Sequence, residues 1–465
     1  MEESSTIAAL ATAPQPAGLA VIRISGTKCL ELINKCFKSK TPPKTKPRQL
    51  ILGSFINPET EEALDQCLAV YMPAPNTFTG EDTVELNLHG SPLLARRVLN
   101  VLYANGAVPA EPGEFTKRAF MNGKLDLLQA EAVCDMIHAS GTKAQRLAKE
   151  QLAGRFSNII TQLADPLRDS LAELEAHIDF PEEDIEPQTL EKIQDSINNS
   201  INEITKLIQS YRYGKRLKEG LRVLLWGRPN AGKSTLLNLL LNEERAIVTN
   251  IPGTTRDIIE EAGQIDGYSF VFCDCAGIQT TDNAVEKIGI ERAIERLNWA
   301  DVVLFIIDTS EPKDEWQELL KTLQNTCLRD DIKVFAVLNK IDLPQHGTEY
   351  VLKKLAPNLF KKSFHLSAKN GQGFNELKQA LLSTVDENNN IEGAEITITE
   401  ERHKLCLEEA KSALLSTSME ITNSAPLEII CAELRRGLSA LEELIGVTTP
   451  DDILGRIFSK FCIGK

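Results

Sequence analysis

The sequence predicts a multidomain protein of α/β and α class, in which an α/β unit interrupts a helical domain and follows an α+β segment. Three observations predict it. The chain has 465 residues, about three times the usual single-domain length, which allows two or three separately cored domains. Strand-like alternation marks the first part and gives way to helical spacing from about Leu125. From Leu221 strand-like runs alternate with helical stretches, and helical spacing returns beyond Leu382.

In the first part, residues 1–120, Ala20–Ile24 and Val84–Leu88 alternate apolar and polar side chains, as half-buried strands do. Val84, Leu86 and Leu88 share one strand face, which puts Glu85 on the other. Residues 121–216 form the first helical part. There Leu190, Ile193, Ile197, Ile201, Ile204 and Ile208 recur at spacings of three and four, which predicts one long amphipathic helix. Residues 217–382 carry the strand-like runs Arg222–Trp226, Phe270–Cys273, Val302–Ile307 and Val334–Leu338, separated by helical stretches: the pattern of a parallel sheet covered by helices. Residues 383–465 return to helices over Glu400–Ser416, Leu427–Leu444 and Asp451–Phe461, broken by Pro426 and Pro450. Such an insertion costs little if the guest's two ends lie close together.

Composition narrows the function. With 42% hydrophobic and 25% charged residues, neither disorder nor a membrane class is favoured. The longest apolar runs, such as Val302–Ile307, fall well short of the roughly 20 residues of a membrane helix, so no membrane association is expected. The acidic, polar start Met1-Glu2-Glu3-Ser4-Ser5 resembles neither a secretory signal nor a transit peptide, and the expected location is the cytoplasm. Ten cysteines are scattered without metal-site spacing, and Cys273 and Cys275, one residue apart at a strand end, suit core packing better than zinc. The net charge of -15 requires any RNA to meet a confined basic patch.

Gly227-Arg228-Pro229-Asn230-Ala231-Gly232-Lys233-Ser234 fits the phosphate-loop pattern and lies between a strand-like run and the apolar helix Leu236–Leu241. Its glycines let backbone N–H groups curl around phosphates, Lys233 supplies a point charge to the β and γ oxygens, and Ser234 offers a hydroxyl to Mg²⁺. Four further boxes follow in order. Gly253-Thr254-Thr255-Arg256-Asp257 supplies a switch threonine, with Thr255 on Mg²⁺. In Asp274-Cys275-Ala276-Gly277 the aspartate holds Mg²⁺ through water and Gly277 gives its N–H to the γ-phosphate. Asn339-Lys340-Ile341-Asp342 offers the Asp342 carboxylate to the N1–H and amino group of guanine. Adenine presents no such donor pair, so the expected nucleotide is GTP. Ser367-Ala368-Lys369 completes the base pocket of a Ras-like P-loop GTPase domain. The usual water-orienting glutamine after the Asp-x-x-Gly box is replaced by Ile278. Gln279 follows it, but a one-residue shift points that side chain elsewhere.

The phosphate loop with Asn230, the Gly253–Asp257 loop, Glu286-Lys287-Ile288-Gly289-Ile290-Glu291-Arg292 and the terminal Cys462-Ile463-Gly464-Lys465 together resemble the MnmE (TrmE) family of tRNA-modification GTPases, among the TrmE-Era-EngA-like GTPases. Gly80-Glu81-Asp82, Pro112-Gly113-Glu114-Phe115, Lys124-Leu125-Asp126-Leu127 and Asp179-Phe180-Pro181 extend the resemblance over essentially the whole chain. It implies a potassium-stimulated GTP hydrolase with an N-terminal tetrahydrofolate-binding and dimerisation domain. K⁺ is then held by Asn230, Thr249, Ile251 and Thr254 in the place of an arginine finger across a homodimer, and Glu286 positions water through a second, bridging water. The nucleotide site takes in Thr235 and the loop residues Asn250 and Pro252 as well.

By the same resemblance Arg23, Glu85, Lys124 and Lys465 contact 5-formyltetrahydrofolate or 5,10-methylenetetrahydrofolate, and Cys462 is a candidate catalytic thiol. The segment Pro14-Gln15-Pro16-Ala17-Gly18 is less glycine-rich and less basic than the family's usual pattern. The resemblance further implies a heterotetramer with the flavoprotein MnmG that installs an aminomethyl or carboxymethylaminomethyl group on C5 of a tRNA wobble uridine. The alternative, a ribosome-assembly or RNA-binding GTPase switch, calls for an appended basic RNA-binding module, whereas this chain is acidic and its flanking segments are folate-like and helical.

Overall fold

The structure, a computed structural model, describes residues 5–179, 187–241, 260–274, 295–311, 316–326, 328–346, 348–386, 397–448 and 450–465. It comprises two compact units. One consists of Met1–Ile137, Lys149–Ile197 and Ser412–Lys465, and the other of His138–Ala148 and Asn198–Lys411.

The first unit holds a seven-stranded sheet of β1 (Ile7–Leu10), β2 (Leu19–Ser25), β3 (Phe37–Ser39), β4 (Ile51–Ile56), β5 (Ala63–Met72), β6 (Thr83–His89) and β7 (Val108–Pro109), in the order β3-β4-β5-β6-β2-β1-β7. Every neighbouring pair is antiparallel except β1 with β7. The alternation read in β2 and β6 has the predicted result. Ile22, Ile24, Val84, Leu86 and Leu88 are buried in one core with residues of α1 (Cys29–Cys36) and α2 (Pro92–Ala104), each large side chain contributing about 1.5–3 kcal/mol by leaving water. Antiparallel register sets Arg23 directly opposite Glu85 on the other face. Helices α3 (Glu114–Met121), α4 (Leu127–His138) and α6 (Arg155–Asp179) follow, α6 beginning just after α5 (Thr142–Leu152).

The end of the chain returns to this unit. After α12 (Glu401–Thr422), α13 (Leu427–Ile445) packs along α6. Leu454, Ile457 and Phe458 of α14 (Asp451–Phe458), with Phe461, form one core with Leu127 and Ala130 of α4. Gly464 then passes so close to β1 that a Cβ on it would stand 2.4 Å from the Leu10 carbonyl oxygen.

The second unit holds a six-stranded sheet of β8 (Leu221–Gly227), β9 (Glu260–Ile265), β10 (Tyr268–Asp274), β11 (Val302–Asp308), β12 (Lys333–Asn339) and β13 (Lys362–His365), in the order β13-β12-β11-β8-β10-β9. Helix α7 (Pro187–Glu219), the long helix that the Leu190–Ile208 spacing predicts, buries Ile193, Ile197, Ile204 and Leu207. Helices α8 (Lys233–Leu241) and α11 (Phe374–Asp386) pack on one face of the sheet, and α9 (Gln317–Asn325) and α10 (Thr348–Leu355) on the other. Strands β8, β10, β11 and β12 match the predicted runs and are parallel to one another.

To these the structure adds an edge strand that the sequence pattern did not show, β9, which pairs antiparallel with β10. Glu-Glu-Ala-Gly-Gln-Ile is no apolar run and reads poorly as a strand. What makes it one is the hairpin turn Asp266-Gly267, where both residues have positive φ, 49° and 82°, as a two-residue turn of this type requires. No helix among the described residues is long and apolar enough to cross a membrane.

Candidate functional site

The parallel strands end side by side at Gly227, Asp308 and Asn339, with Asp274 at the end of β10, and the second unit gathers its polar machinery there. Beyond β8 the chain turns through Arg228–Gly232 into α8, with positive φ at Asn230 (64°) and Gly232 (95°), a conformation that directs successive N–H groups into one concavity. Lys233, 5% exposed, donates from Nζ to the carbonyls of Gly227 and Arg228, each at 3.0 Å, and stands 4.0 Å from the Asp274 carboxylate. The Ser234 hydroxyl lies 3.5 Å from Asp274 Oδ2. A cation, a hydroxyl and a carboxylate thus converge at a helix N-terminus, a donor set that suits a magnesium-bound phosphate chain.

The base side is held to the phosphate side by Asn339, which is 2% exposed. Its Nδ2 donates to the Ala231 carbonyl at 2.8 Å and its Oδ1 accepts from the Ala368 N–H at 2.9 Å. Asn339 is therefore a strut between the two loops. Lys340 has φ 64° and places its ammonium 2.5 Å from Asp308. Burial would raise the Asp308 carboxyl, but Lys340 and the Ser310 hydroxyl and N–H overcome it and hold the group below its ordinary range. Thr309 Oγ1 donates to the Asn339 carbonyl at 2.7 Å. Asp308 and Thr309 are absent from the sequence-derived set; the signal that could have found them is Asp-Thr-Ser directly after an apolar strand. Asp342 is exposed, and its carboxyl lies below the ordinary range, with the Ser367 side chain the leading cause and Lys369 and Lys340 contributing. The Ser367–Lys369 turn is closed by Gly373, where a Cβ would stand 2.0 Å from the His365 carbonyl oxygen.

Of the predicted nucleotide residues, Asn230, Ala231, Gly232, Lys233, Ser234, Thr235, Asp274, Asn339, Lys340, Asp342, Ser367, Ala368 and Lys369 thus lie at this end of the sheet. Thr249, Asn250, Ile251, Pro252, Gly253, Thr254, Thr255, Cys275, Ala276, Gly277, Ile278, Gln279 and Glu286 lie outside the described residues.

In the first unit the Arg23 guanidinium holds Glu85 Oε1 at 2.9 Å from both Nε and Nη2. The same guanidinium lies 5.9 and 5.8 Å from the ring centres of Phe78 and Phe115, two aromatics the sequence reading missed because they are far apart in the chain. Lys465 belongs to this cluster. Burial, then the charge of Arg23, pushes its ammonium down, against the opposing pull of Glu85 and Cys462. Lys124 packs along Gly80, with its Cε 3.5 Å from where a Cβ on that glycine would be. Glu81 accepts from Ser25 at 2.8 Å and from Arg118 at 3.2 Å and so ties the loop to β2 and α3. Cys462 is exposed.

A strand-ordered α/β sheet with a phosphate loop, an aspartate facing its lysine and serine, and an Asn-Lys-x-Asp box braced to that loop defines a P-loop GTPase. The flanking sequence is more specific. Residues 6–124 match the model of the GTP-binding protein TrmE N-terminus, and residues 127–462 match that of the MnmE helical domain. The tRNA modification GTPase MnmE of Thermoanaerobacter sp. (strain X514) is 41% identical over 465 residues, and that of Alkaliphilus oremlandii 39% over 464, each alignment covering 99% of both chains. Aquifex aeolicus Era Y63A bound to GDP.AlF4- aligns with 42% of this chain and 66% of its own, at 26% identity and a TM-score of 0.29. The chain belongs to the MnmE family of tRNA modification GTPases.

Proposed function

We propose that this protein couples GTP hydrolysis to modification of the wobble uridine of tRNA, with a folate as one-carbon donor and the flavoprotein MnmG as partner in a cytoplasmic heterotetramer built on a homodimer. The observation that carries this reading is the end-to-end likeness to MnmE proteins in a chain whose phosphate loop, Asp274 and Asn339–Asp342 box converge on one site.

In the GTPase module Lys233 neutralises phosphate charge, Ser234 and Thr255 hold Mg²⁺, and Asp342 selects guanine. Potassium, held by Asn230, Thr249, Ile251 and Thr254, would supply positive charge between the β and γ phosphates, where charge builds up during cleavage. Glu286 would orient the attacking water. In the N-terminal domain, proposed as residues 1–120, Arg23 with Glu85, Lys124 and Lys465 would hold the pterin edge and glutamate tail. The Arg23–Glu85 pair, with Phe78 and Phe115 within 6 Å of the guanidinium, fits a flat, polar heterocycle with an anionic tail. Bound folate would supply the one-carbon unit, and flavin would belong to the partner. The nucleotide domain is proposed as residues 217–382, inserted between helical parts 121–216 and 383–465.

The test has two arms. GTP turnover is compared in KCl and NaCl for the wild type and Glu286→Ala; strong potassium stimulation that Glu286→Ala abolishes with GTP binding retained is expected, and equal rates in both salts would remove the potassium site. Wobble uridines are then analysed by mass spectrometry in cells lacking the protein, with and without a Lys233→Ala copy. Unaltered nucleosides would remove the tRNA assignment while leaving the GTPase standing.

A further inference from the structure

The second unit carries a basic cavity at the end of its sheet opposite the nucleotide site. It has a volume of about 370 Å³ and opens beside the last turns of α7, where β8 starts. The strands that border it, β8, β11 and β12, begin here at Leu221, Val302 and Lys333, whereas the phosphate loop, Asp308 and Asn339 lie at their far ends.

Arg212, Lys215, Arg216, Arg222, Arg329 and Lys404 line the cavity. Three carboxylates face them, and these already have partners: Asp331 pairs with Arg212 at 3.1 Å, Glu219 pairs with Arg222 at 2.8 Å, and Asp301 accepts from the Arg222 N–H at 3.0 Å. Arg329 shares Asp331 at 3.6 Å and Lys404 stands 3.5 Å from Glu408, so six cations face three lining carboxylates and Glu408. Arg216 is only 9% exposed and donates from Nη1 to the Thr384 carbonyl at 2.7 Å, with no carboxylate at ion-pair distance among the described residues. Burying a guanidinium that no carboxylate contacts directly is unfavourable, and an anion entering the site would relieve it. Burial pushes the Arg216 group down, with Asp301 and Asp331 opposing and Arg212 adding to it, and burial followed by the charge of Arg216 pushes Lys333 down to about 8.

The shape of the rim selects the anion. Lys215 and Lys404 stand 6.0 and 5.6 Å from the centre of the half-buried Tyr211 ring. An aromatic ring with two ammonium groups within 6.0 Å of its centre, in a cavity lined by guanidiniums, combines the ring and the phosphate contacts of single-stranded nucleic-acid sites. The carboxylates at the wall offer acceptors for ribose 2′-hydroxyls. The chain carries a net charge of -15, so RNA is repelled by most of the protein and needs a confined positive site of this kind.

We propose that this cavity, lined by Arg216, Lys215, Lys404 and Tyr211, is a docking site for a phosphodiester segment of tRNA, separate from the nucleotide site. The inference rests on the tRNA reading above and adds where on the GTPase module the RNA is held.

The test measures binding of fluorescently labelled tRNA to the intact protein by anisotropy between 50 and 200 mM KCl, roughly the range over which phosphate contacts are lost. Lys215→Gln/Lys404→Gln removes two rim charges without touching the core. Affinity should fall about tenfold and the slope of log K against log salt by about two, one per phosphate contact, with GTP turnover in the absence of tRNA unchanged. Arg216→Gln should weaken binding further; its melting temperature is recorded, and if it fails to fold the lysine variant carries the test. Wild-type and lysine-variant proteins that bind tRNA with the same affinity and salt slope would overturn the docking site and leave the tRNA reading intact. A wild type that binds no tRNA would overturn both. If the variant binds tRNA normally but loses the flavoprotein partner, the cavity is a protein interface and the RNA proposal fails.

Discussion

The Asn339 amide fills the space beside Gly232, so that a Cβ on this glycine would stand 2.1 Å from Asn339 Nδ2. Gly232 also has φ 95°, where a side chain is strained whatever the room. Two loops remote in sequence therefore share one fitted contact. Gly232→Ala should push the Asn339 amide off the Ala231 carbonyl and weaken GTP binding by about 3 kcal/mol, roughly a hundredfold. Asn339→Ala leaves the Ala231 carbonyl and the Ala368 N–H buried without their partner, at about 1–3 kcal/mol each. Urea unfolding should show a lower midpoint with an unchanged slope, and fluorescent GTP titration a weaker affinity. Normal affinity in both variants would mean the two loops hold their places without the strut.

The Asp308–Lys340 pair gives the nucleotide module an acid-sensitive brace. The folded-state carboxyl of Asp308 lies below the unfolded value of 3.8, so the stabilisation is fully present above that value and is lost as pH falls through the depressed one. Asp308→Asn should cost about 1.5–3 kcal/mol at pH 7, as loss of a charge-assisted bond does, and should flatten the stability profile at its acid end. Urea midpoints from pH 7 down to pH 3 check this. Parallel wild-type and variant profiles would show that the pair contributes nothing through its charge.

Strands β8, β10, β11 and β12 were legible because a central strand is buried on both faces and must be apolar along its whole length. The edge strand β9 was not, since Glu260-Glu261 open it with two charges and no apolar alternation, and only the Asp266-Gly267 turn betrays the hairpin. The convergence of the phosphate loop and the Asn-Lys-x-Asp box was legible for a chemical reason: both are short patterns of few residue types at fixed spacing, each set directly after an apolar strand. Asp308 escaped because its role depends on a lysine 32 positions later, brought near by the parallel pairing of Asp308 with Asn339. In the first unit the alternation placed Glu85 on its strand face. That Arg23 stands opposite it depends on register between two strands, and one strand's pattern carries no register.

Tyr268 links β10 to α11, its hydroxyl donating to Asp386 at 2.6 Å, while the Lys143 ammonium lies 3.5 Å from the centre of its ring. The Lys143 N–H also donates to the Gly267 carbonyl at 3.1 Å, and this anchors the start of α5 on the β9–β10 turn. Burial, reinforced by Asp386, pushes the phenol well up, so it stays a neutral donor throughout the physiological range. Tyr268→Phe should cost about 1.5–3 kcal/mol, since the lost bond runs to a carboxylate. Lys143→Ala should cost about 0.5–1 kcal/mol through the lost cation–ring contact. The double variant should lose close to the sum in a urea-denaturation cycle, because phenylalanine keeps the ring that Lys143 contacts. A strong coupling would show that the Lys143 contact depends on the hydroxyl's bond to Asp386.

The thiols offer a chemical reading of which parts of the first unit open. Cys462 is exposed, whereas Cys29, Cys36 and Cys67 are buried in or beside the sheet core. Burial pushes Cys29 up to about 12, Cys36 to about 11 and Cys67 to about 12, with Asp82 adding to the effect at Cys29 and Asp65 at Cys67. Alkylation proceeds through the thiolate, so at pH 8 these three are disfavoured twice, by access and by charge. Brief iodoacetamide treatment of the native protein, followed by peptide mass spectrometry, should modify Cys462 well before any of them, and urea should equalise the rates. If Cys29 reacts as fast as Cys462 without denaturant, the core of α1 against β6 opens on the labelling timescale.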